Sequence, residues 1–384
     1  MSASVASESP SPSPAQSPSP TDLAARHSAI ALAVTLPSDT CLYLLLPMFA
    51  SQFGVSLFEV GVLLAANRLV RIMGYGFVAR FYARRGDRPT DTLAVIAAAC
   101  ASLGYATLSG VWLLLPFRLL WGLSFAALNL STLAMATAEP QGAARRNGRS
   151  RAIIALGPTL ALPAGAFLAE QLDLGPRAIF FVLTAVALVG LLATRHLPAA
   201  PHPVLPQRKL QLPGSLDVWS FLEGFTLDGL FVVGLAYLGK DLLPGGAVMA
   251  AALLMALRYF SEIVLSPIGG HMAERFGAER LLVSLSLLTT VTLVGFGAGW
   301  IFSGAAVIVV LRALQLPLIA PIVVKRTPGP GRVQALATRA VWRDIGAGTG
   351  PMVAGLLLPI VPSFWIYAVS AGLLAVAAVA CVRR

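Results

Sequence analysis

The stretch "AANRLVRIMGYGFVARFYARRGDRP", residues 65–89, is an apolar run that carries Arg68 and Arg71 and then closes on Arg80, Arg84, Arg85 and Arg88. A charged side chain at the centre of a bilayer costs about 2.5–3.5 kcal/mol on insertion scales, so a membrane helix keeps one only for a partner or a function. The arginines that follow have a different reading. Basic residues just beyond a span mark its cytoplasmic end.

The rest of the chain supports the membrane premise. It is 57% hydrophobic and 12% charged over 384 residues, with a mean hydropathy of +0.79, far from the composition of a soluble domain. Apolar runs of about twenty residues, the length that crosses a ~30 Å hydrocarbon core, recur at roughly 28–51, 58–79, 91–110, 113–137, 151–171, 177–195, 217–239, 246–270, 279–298, 302–324, 337–358 and 361–381. The expected fold class is an all-α membrane protein of twelve spans. The lipid bilayer is its first partner.

Of the 28 basic residues, 20 fall in loops or tails on one face when the N-terminus is placed inside, Arg84, Arg145, Arg151 and Arg339 among them, and Arg177 and Lys240 fall on the other. That asymmetry puts both termini in the cytoplasm, as in a multi-pass protein of a bacterial-type inner membrane. The net charge of +11 is thus a topology signal, and its dispersal over short loops argues against nucleic acid. Cys41, Cys100 and Cys381 lie in apolar runs with no CxxC pair, so no disulfide framework, zinc site or cofactor is expected. HExxH, a Walker loop and Gly-x-Ser-x-Gly are absent, which removes the common enzyme motifs.

Residues 1–27 begin with "MSASVASESPSPSPAQSPSPT", low-complexity Ser/Pro sequence expected to form a disordered cytoplasmic tail. The Pro-rich segment 196–216 divides the remainder into 28–195 and 217–384, six spans each. The halves echo one another: Asp39 corresponds to Asp228, Arg68 to Arg258 and Arg118 to Arg312, at offsets of 189, 190 and 194. "GFVARFYARR" (76–85) aligns with "GHMAERFGAER" (270–280) at 194 through Gly76/Gly270 and Ala79/Ala273. Duplicated halves point to a transporter with its site between them.

"GGHMAERFGAERLL" (269–282) resembles the cytoplasmic loop signature of the major facilitator superfamily, matched by Gly270, Ala273, Glu274, Arg275, Gly277 and Arg280. The first-half copy keeps Gly76, Ala79, Arg84 and Arg85, with Arg80 read at the acid and Ala83 at the second glycine. "RLLWGLSFA" (118–126) is similar to the Arg-x-x-x-Gly motif of the family's fourth helix, and "GAGTGPMVAG" (346–355) to its antiporter Gly-Pro motif, which in the family lies on the fifth helix. The resemblance implies two six-helix bundles and alternating access. It also implies a cytoplasmic gate at Arg84, Arg85, Gly270, Glu274, Arg275, Gly277 and Arg280, and a role for Arg118 in proton coupling or cavity lining.

The charges within spans supply the candidate substrate or proton site: Asp39, Asn67, Arg68, Arg71, Arg118, Asp228, Arg258, Glu262 and Arg312. Arg258 and Glu262, four apart on one face, are expected to pair, as are the neighbours Arg343 and Asp344. Glu223 is read as either solvated or buried. Arg68 and Arg71 share a face, and Asp39, a water-filled cavity or a bound anion could relieve their repulsion, Asp39 being the expected counter-charge of Arg68. Asn67, Asn129 and Gln315 are interhelical hydrogen-bonding groups or ligands. Arginine outnumbers acid at this site, so the expected function is proton-coupled efflux of a small anionic or amphiphilic metabolite or drug, with protons as partner and a monomeric chain. Uptake of an organic anion by proton symport is the alternative, and a non-transporting membrane sensor the reading from another class.

Overall fold

The computed structural model describes residues 19–170, 172, 174–200, 213–239 and 248–382. The first 18 residues of the Ser/Pro tail, most of the linker (201–212), Asp173 and Lys240 lie outside the described residues.

The described elements are all helical. They are α1 (Pro20–Met48), α2 (Leu57–Arg85), α3 (Asp87–Thr107), α4 (Val111–Ala136), α5 (Ala143–Glu170), α6 (Pro176–Thr194) and α7 (Ser215–Glu223). A π-helical segment (Gly224–Leu230) leads into α8 (Phe231–Gly239), followed by α9 (Val248–Phe276), α10 (Ala278–Gly297), α11 (Ile301–Gln315), α12 (Ile319–Arg326), α13 (Arg332–Leu357) and α14 (Ser363–Ala380). If α7 to α8 are taken as one broken segment and α11 with α12 as another, the fourteen α-helices form twelve segments, consistent with the twelve expected spans. Nine of the described segments are long and apolar enough to cross a membrane on length and composition alone. The others are α3, α9 and α13, of which α9 and α13 carry charges along their length, Arg258, Glu262, Arg339, Arg343 and Asp344 among them.

The first helix corrects one boundary. It starts at Pro20, so residues 20–27 are helical and do not belong to a disordered tail. The cause is local: Ser19 has an extended backbone, its Oγ accepts from Asp22 N at 3.1 Å, and proline occupies the first turn, where its missing N–H costs nothing. At the start of α2, Glu59 closes a capping box with Ser56. Glu59 N donates to Ser56 Oγ at 3.3 Å, and Ser56 N donates to Glu59 Oε2 at 2.7 Å.

The repeat is sharper in three dimensions than in the sequence. Both α2 and α9 are 29 residues long, and each ends at one positive-φ glycine, Gly86 at +81° and Gly277 at +87°, from which α3 or α10 begins at once. Only glycine takes that backbone without a Cβ clash, so each chain reversal needs one. The in-register offset is therefore 191. Gly86 rather than Ala83 is the counterpart of Gly277, while Glu274 falls opposite Ala83 and Arg275 opposite Arg84. The offset of 194 is off by three residues, close to the 3.6 of one helical turn, which leaves the same face showing and so imitates a match.

Within the first half α1 packs on α4, α5 and α6, and α3 on α4 and α6; in the second, α13 packs on α7 and the π segment, and α10 on α11 and α14. The halves meet along α5–α9 and α2–α13. Small residues let α5 and α9 touch backbone to backbone, a common device where no hydrophobic effect drives helices together. A Cβ on Gly148 would lie 2.5 Å from the Ser266 carbonyl oxygen, and one on Gly270 would lie 2.5 Å from that of Ala144. The two helices thus present Ala144–Gly148 and Ser266–Gly270, each a small residue repeated at four.

The start of α1 and the end of α14 lie at the end of the bundle that carries the basic turns, here called the basic end: Asp22 lies 3.9 Å from Arg146, and the Cys381 carbonyl accepts from Arg326 at 2.5 Å. Polar contacts bridge the halves there: Glu274 Oε1 accepts from Arg145 N at 3.2 Å, Asn147 Nδ2 donates to the Pro317 carbonyl at 2.9 Å, and Arg332 Nη1 donates to the Ala138 carbonyl at 3.0 Å. The Pro317 carbonyl is offered by the turn between α11 and α12.

Candidate substrate site

Asp39 and Asp228 both sit where their helix is irregular. Pro37 lies inside α1 two residues before Asp39, and a proline within a helix leaves the carbonyl four residues back without its amide partner. Asp228 lies within the π segment, a one-residue widening often found at functional positions. Each carboxylate is buried, and each is held by the arginine of its own half's fourth or tenth span.

In the first half Arg118 Nη1 donates to Asp39 Oδ1, Arg118 Nε donates to the Leu63 carbonyl at 3.1 Å, and the guanidinium lies 5.0 Å from the Tyr43 ring centroid. Asn67 Nδ2 approaches the same Asp39 oxygen at 3.4 Å. In the second half Asp228 is a hub for three arginines. Oδ1 accepts from Arg312 at 2.6 Å and Arg258 at 3.0 Å, and Oδ2 accepts from Arg343. Arg312 also donates to Glu262 at 3.0 Å, and Arg343 to Glu223 at 3.0 Å.

Several expected pairings are replaced. Asp39 serves Arg118, not Arg68; Arg68 Nη1 donates across the molecule to the Ala347 carbonyl on α13. Arg258 and Glu262 do not pair with each other, because Arg258 reaches Asp228 in the seventh segment and Glu262 reaches Arg312 in the tenth. Arg343 and Asp344, adjacent in sequence, point about 100° apart on the helix; Arg343 meets Glu223 and Asp228, while Asp344 meets Arg71. That last pair spans the two halves. Arg71 Nη2 donates to Asp344 Oδ1 at 3.0 Å, with Nε equally close to Oδ2 but too oblique for a second hydrogen bond, and Phe125 lies 4.8 Å from the guanidinium. Glu223 is buried rather than solvated.

Two residues assigned to loops belong to this cluster. Arg151 lies well inside α5, and its charge acts on the same field as Glu262, Arg343, Arg312 and Glu223. Arg339 is 9% exposed on α13 and donates from Nε to Ser220 Oγ at 2.9 Å. Hydropathy missed both because each lies at the polar edge of its apolar run; only helical phase, not depth, betrays them. The cluster then holds eight arginines (68, 71, 118, 151, 258, 312, 339, 343) against five carboxylates (39, 223, 228, 262, 344), a surplus of three positive charges. Arg68, Arg151 and Arg339 are the three with no carboxylate in a described ion pair. Among the described residues, Arg118 Nη2 and the Nε atoms of Arg151, Arg258 and Arg312 are buried without an acceptor. Carboxylate, phosphate or sulfate oxygens on a ligand are suited to accept from such groups.

The other candidates separate into structural and central groups. Asn67 joins the Asp39 cluster, whereas Gln315 Nε2 donates to Thr289 Oγ1 at 2.8 Å and ties α11 to α10. Tyr75, Trp121 and Phe231 are buried packing residues. Of the expected gate, Gly270 and Glu274 touch α5, as described above, and Gly277 makes the α9–α10 turn. Arg84, Arg85, Arg275 and Arg280 are exposed, with Arg85 5.9 Å from the Phe81 ring and Arg275 5.4 Å from that of Phe276.

A further buried acid was not legible as a site. Asp91 on α3 is fully buried, and its Oδ2 accepts from Ser28 Oγ at 3.1 Å and Ser131 Oγ at 2.9 Å. Its Oδ1 has no hydrogen-bond partner, and no described ion pair involves it.

The sequence profile of the Major Facilitator Superfamily matches residues 28–239 and 216–384. No curated protein matches the chain by sequence. Among solved structures, the fold is similar to that of the human organic anion transporter MFSD10 (TETRAN), with a TM-score of 0.78 and 16% identity, over 94% of this chain and 100% of that one.

Proposed function

The chain belongs to the major facilitator superfamily, a family of membrane carriers rather than enzymes, and from that premise we propose that it exports a small organic anion, driven by proton entry. The observation that carries the proposal is the surplus of three arginine charges in the buried cluster. Uncompensated cations are costly at membrane depth, and a solute with one to three anionic groups offsets that cost as it binds. The solved neighbour at 16% identity is described as an organic anion transporter, which accords with this reading.

Transport follows from the two inter-half seams. In the described conformation the basic end is bridged by Glu274, Asn147 and Arg332, and the middle by Arg71–Asp344 and Arg68–Ala347. Rocking of one bundle against the other breaks one set of bridges while the other holds, which exposes the centre to alternate sides. Replacement of Arg68 tests the central claim of the site. Lysine keeps the charge but not the planar fork that matches an oxyanion. Arg68→Lys is expected to raise the apparent KM in vesicle uptake roughly tenfold, the scale of one charge-assisted hydrogen bond, with folded protein at wild-type amounts. Arg68→Ala is expected to leave little transport. Unchanged kinetics in Arg68→Lys would place the anion elsewhere.

Proton coupling requires a carboxylate that changes its protonation state. The five central carboxylates are each engaged by arginine in an ion pair, whereas Asp91 accepts hydrogen bonds from the Ser28 and Ser131 hydroxyls and takes part in no described ion pair. Asp91 is therefore the proposed proton carrier. In Asp91→Asn, transport driven by an imposed pH gradient should be lost while substrate counterflow, which needs no proton movement, persists. Loss of both, or retention of both, would remove Asp91 from coupling.

The basic end is the proposed cytoplasmic face, with both termini inside a bacterial-type membrane and the chain acting as a monomer. Cysteines placed singly at Arg84 and Leu174, in a background where the exposed Cys100 is replaced, should differ towards an impermeant thiol reagent on intact cells. Only the one at Leu174 should react; equal labelling of the two would contradict the orientation.

A further inference from the structure

At the basic end a cavity of about 240 Å³ lies between the starts of α1 and α5. Its wall includes Asp22, Leu23 and Arg26 from α1 and Arg146, Arg149 and Ile153 from α5. Arg146 is buried and already engaged. Its Nε donates to the Ala136 carbonyl at 3.0 Å, its Nη2 donates to that of Glu139, and its Nη1 lies 3.9 Å from Asp22. Arg26 and Arg149 are exposed, and neither makes a hydrogen bond or ion pair to a described residue. Asp22, the single acid among the described lining residues, therefore sits with Arg146 and leaves two guanidinium groups of the wall without a counter-charge. The apolar side of the cavity continues along α5. Ile153, Leu156 and Leu160 follow Arg149 at four, seven and eleven residues, all within about 40° of one line along a helix. Leu156 is 45% exposed and Leu160 69% exposed, and both lie inside the apolar run 151–171, where hydrocarbon is the surrounding medium.

We infer that this cavity seats an anionic phospholipid from the leaflet at the basic end, its phosphate received by Arg26 and Arg149 and one acyl chain lying along Ile153, Leu156 and Leu160. Unneutralised arginines at the edge of the bilayer attract anionic headgroups, and the guanidinium fork matches phosphate oxygens. The stripe below them runs about 16 Å from Arg149 into the membrane at ~1.5 Å per residue, so head and tail of one molecule meet complementary surfaces. A zwitterionic lipid fits less well, because its ammonium group adds a cation beside two that already lack a counter-charge. The site lies within the first half and takes no part in binding the transported solute. It stands whether or not the central cluster accepts anions. Occupancy joins the start of α1 to α5, the helix that carries Ala144 and Gly148 against α9.

The test is native mass spectrometry of the purified full-length protein in a non-ionic detergent, titrated with phosphatidylglycerol, phosphatidylcholine or glycerol 3-phosphate. Wild type is expected to retain one phosphatidylglycerol more tightly than any further copy, and to bind the other two probes weakly. Arg26→Gln with Arg149→Gln should weaken that first binding step by at least about tenfold. Each single replacement should give part of the loss, so the site is tested even where the double variant fails to fold. Arg195→Gln with Arg280→Gln removes the same charge from exposed arginines of the basic end outside the cavity, and should bind as wild type does. Arg68→Gln, in the central cluster, should also bind as wild type does. Phosphatidylglycerol with a photoreactive acyl chain should label the α5 peptide that contains Leu156 and Leu160, and lose that label in the double variant. Wild-type binding in Arg26→Gln with Arg149→Gln, an equal loss in Arg195→Gln with Arg280→Gln or in Arg68→Gln, or a label elsewhere would overturn the site. Glycerol 3-phosphate bound as tightly as the lipid, or phosphatidylcholine bound as tightly as phosphatidylglycerol, would overturn the anionic lipid as its occupant.

Discussion

Asp228→Asn is expected to abolish transport and to reduce folded protein sharply, the largest effect of any single replacement in the cluster. The residue neutralises Arg258, Arg312 and Arg343 together, and only Arg312 and Arg343 have another carboxylate to fall back on. Removal of one member of a buried ion pair costs about 3–5 kcal/mol, most of it the uncompensated charge left behind. That is a large part of the 5–15 kcal/mol that typically separates folded from unfolded chains. Asp39→Asn should be milder, since Arg118 retains the Leu63 carbonyl and the face of Tyr43. The double replacement Asp228→Asn with Arg258→Gln should recover abundance without activity, as measured by size-exclusion yield beside vesicle uptake. Full activity in Asp228→Asn would show the hub to be dispensable scaffolding.

Gly270→Ala should be nearly as damaging, although it adds a single methyl. That carbon would lie 2.5 Å from the Ala144 carbonyl oxygen and 3.1 Å from the Arg145 Cα, both backbone atoms that no side-chain rotation can clear. The helices must separate, and overpacking of this kind costs about 1–3 kcal/mol. The same holds for Gly148→Ala against Ser266. The expected result is at least a tenfold loss of transport with a lower unfolding temperature, and the same replacement at Gly348, which has open space around it, serves as the control. Equal behaviour of Gly270→Ala and Gly348→Ala would mean that the α5–α9 contact is not needed for closure.

The glycine-rich segment 346–355 also shows how a motif can carry packing. Gly350 backs on to Gly229 of the π segment, where a Cβ would lie 2.7 Å from the Gly229 Cα. Its likeness to an antiporter motif therefore has a sufficient explanation in how α13 seats on the seventh segment.

The sequence showed which charged residues lie deep in the membrane, because depth follows from distance along an apolar run. Asp39, Arg118, Asp228, Arg258, Glu262 and Arg312 could be singled out that way, and the structure brings them into two ion-paired groups, Asp39 with Arg118 and Asp228 with Arg258, Arg312 and Glu262. It did not show who pairs with whom. Arg68 and Asp39 lie at similar depths, but partner choice depends on helix rotation and on which bundles face each other, and neither is encoded locally. Arg343 and Asp344 make the point most simply: adjacent residues project in different directions on a helix and serve different halves. Arg151 and Arg339 were hidden for the opposite reason. Each lies near the polar edge of its run, where an arginine normally marks a loop. The repeat register slipped by three residues because a near-turn shift preserves the helix face, and the two positive-φ glycines, Gly86 and Gly277, correct it.

The most direct measurement is counterflow into vesicles containing the purified protein, across a series of solutes matched in size and differing in charge. Saturable exchange of mono-, di- and tricarboxylates, with no exchange of the matched amines or neutral analogues, is the predicted result. Exchange of cations or neutral solutes without the anions would contradict an anion site built on surplus arginine.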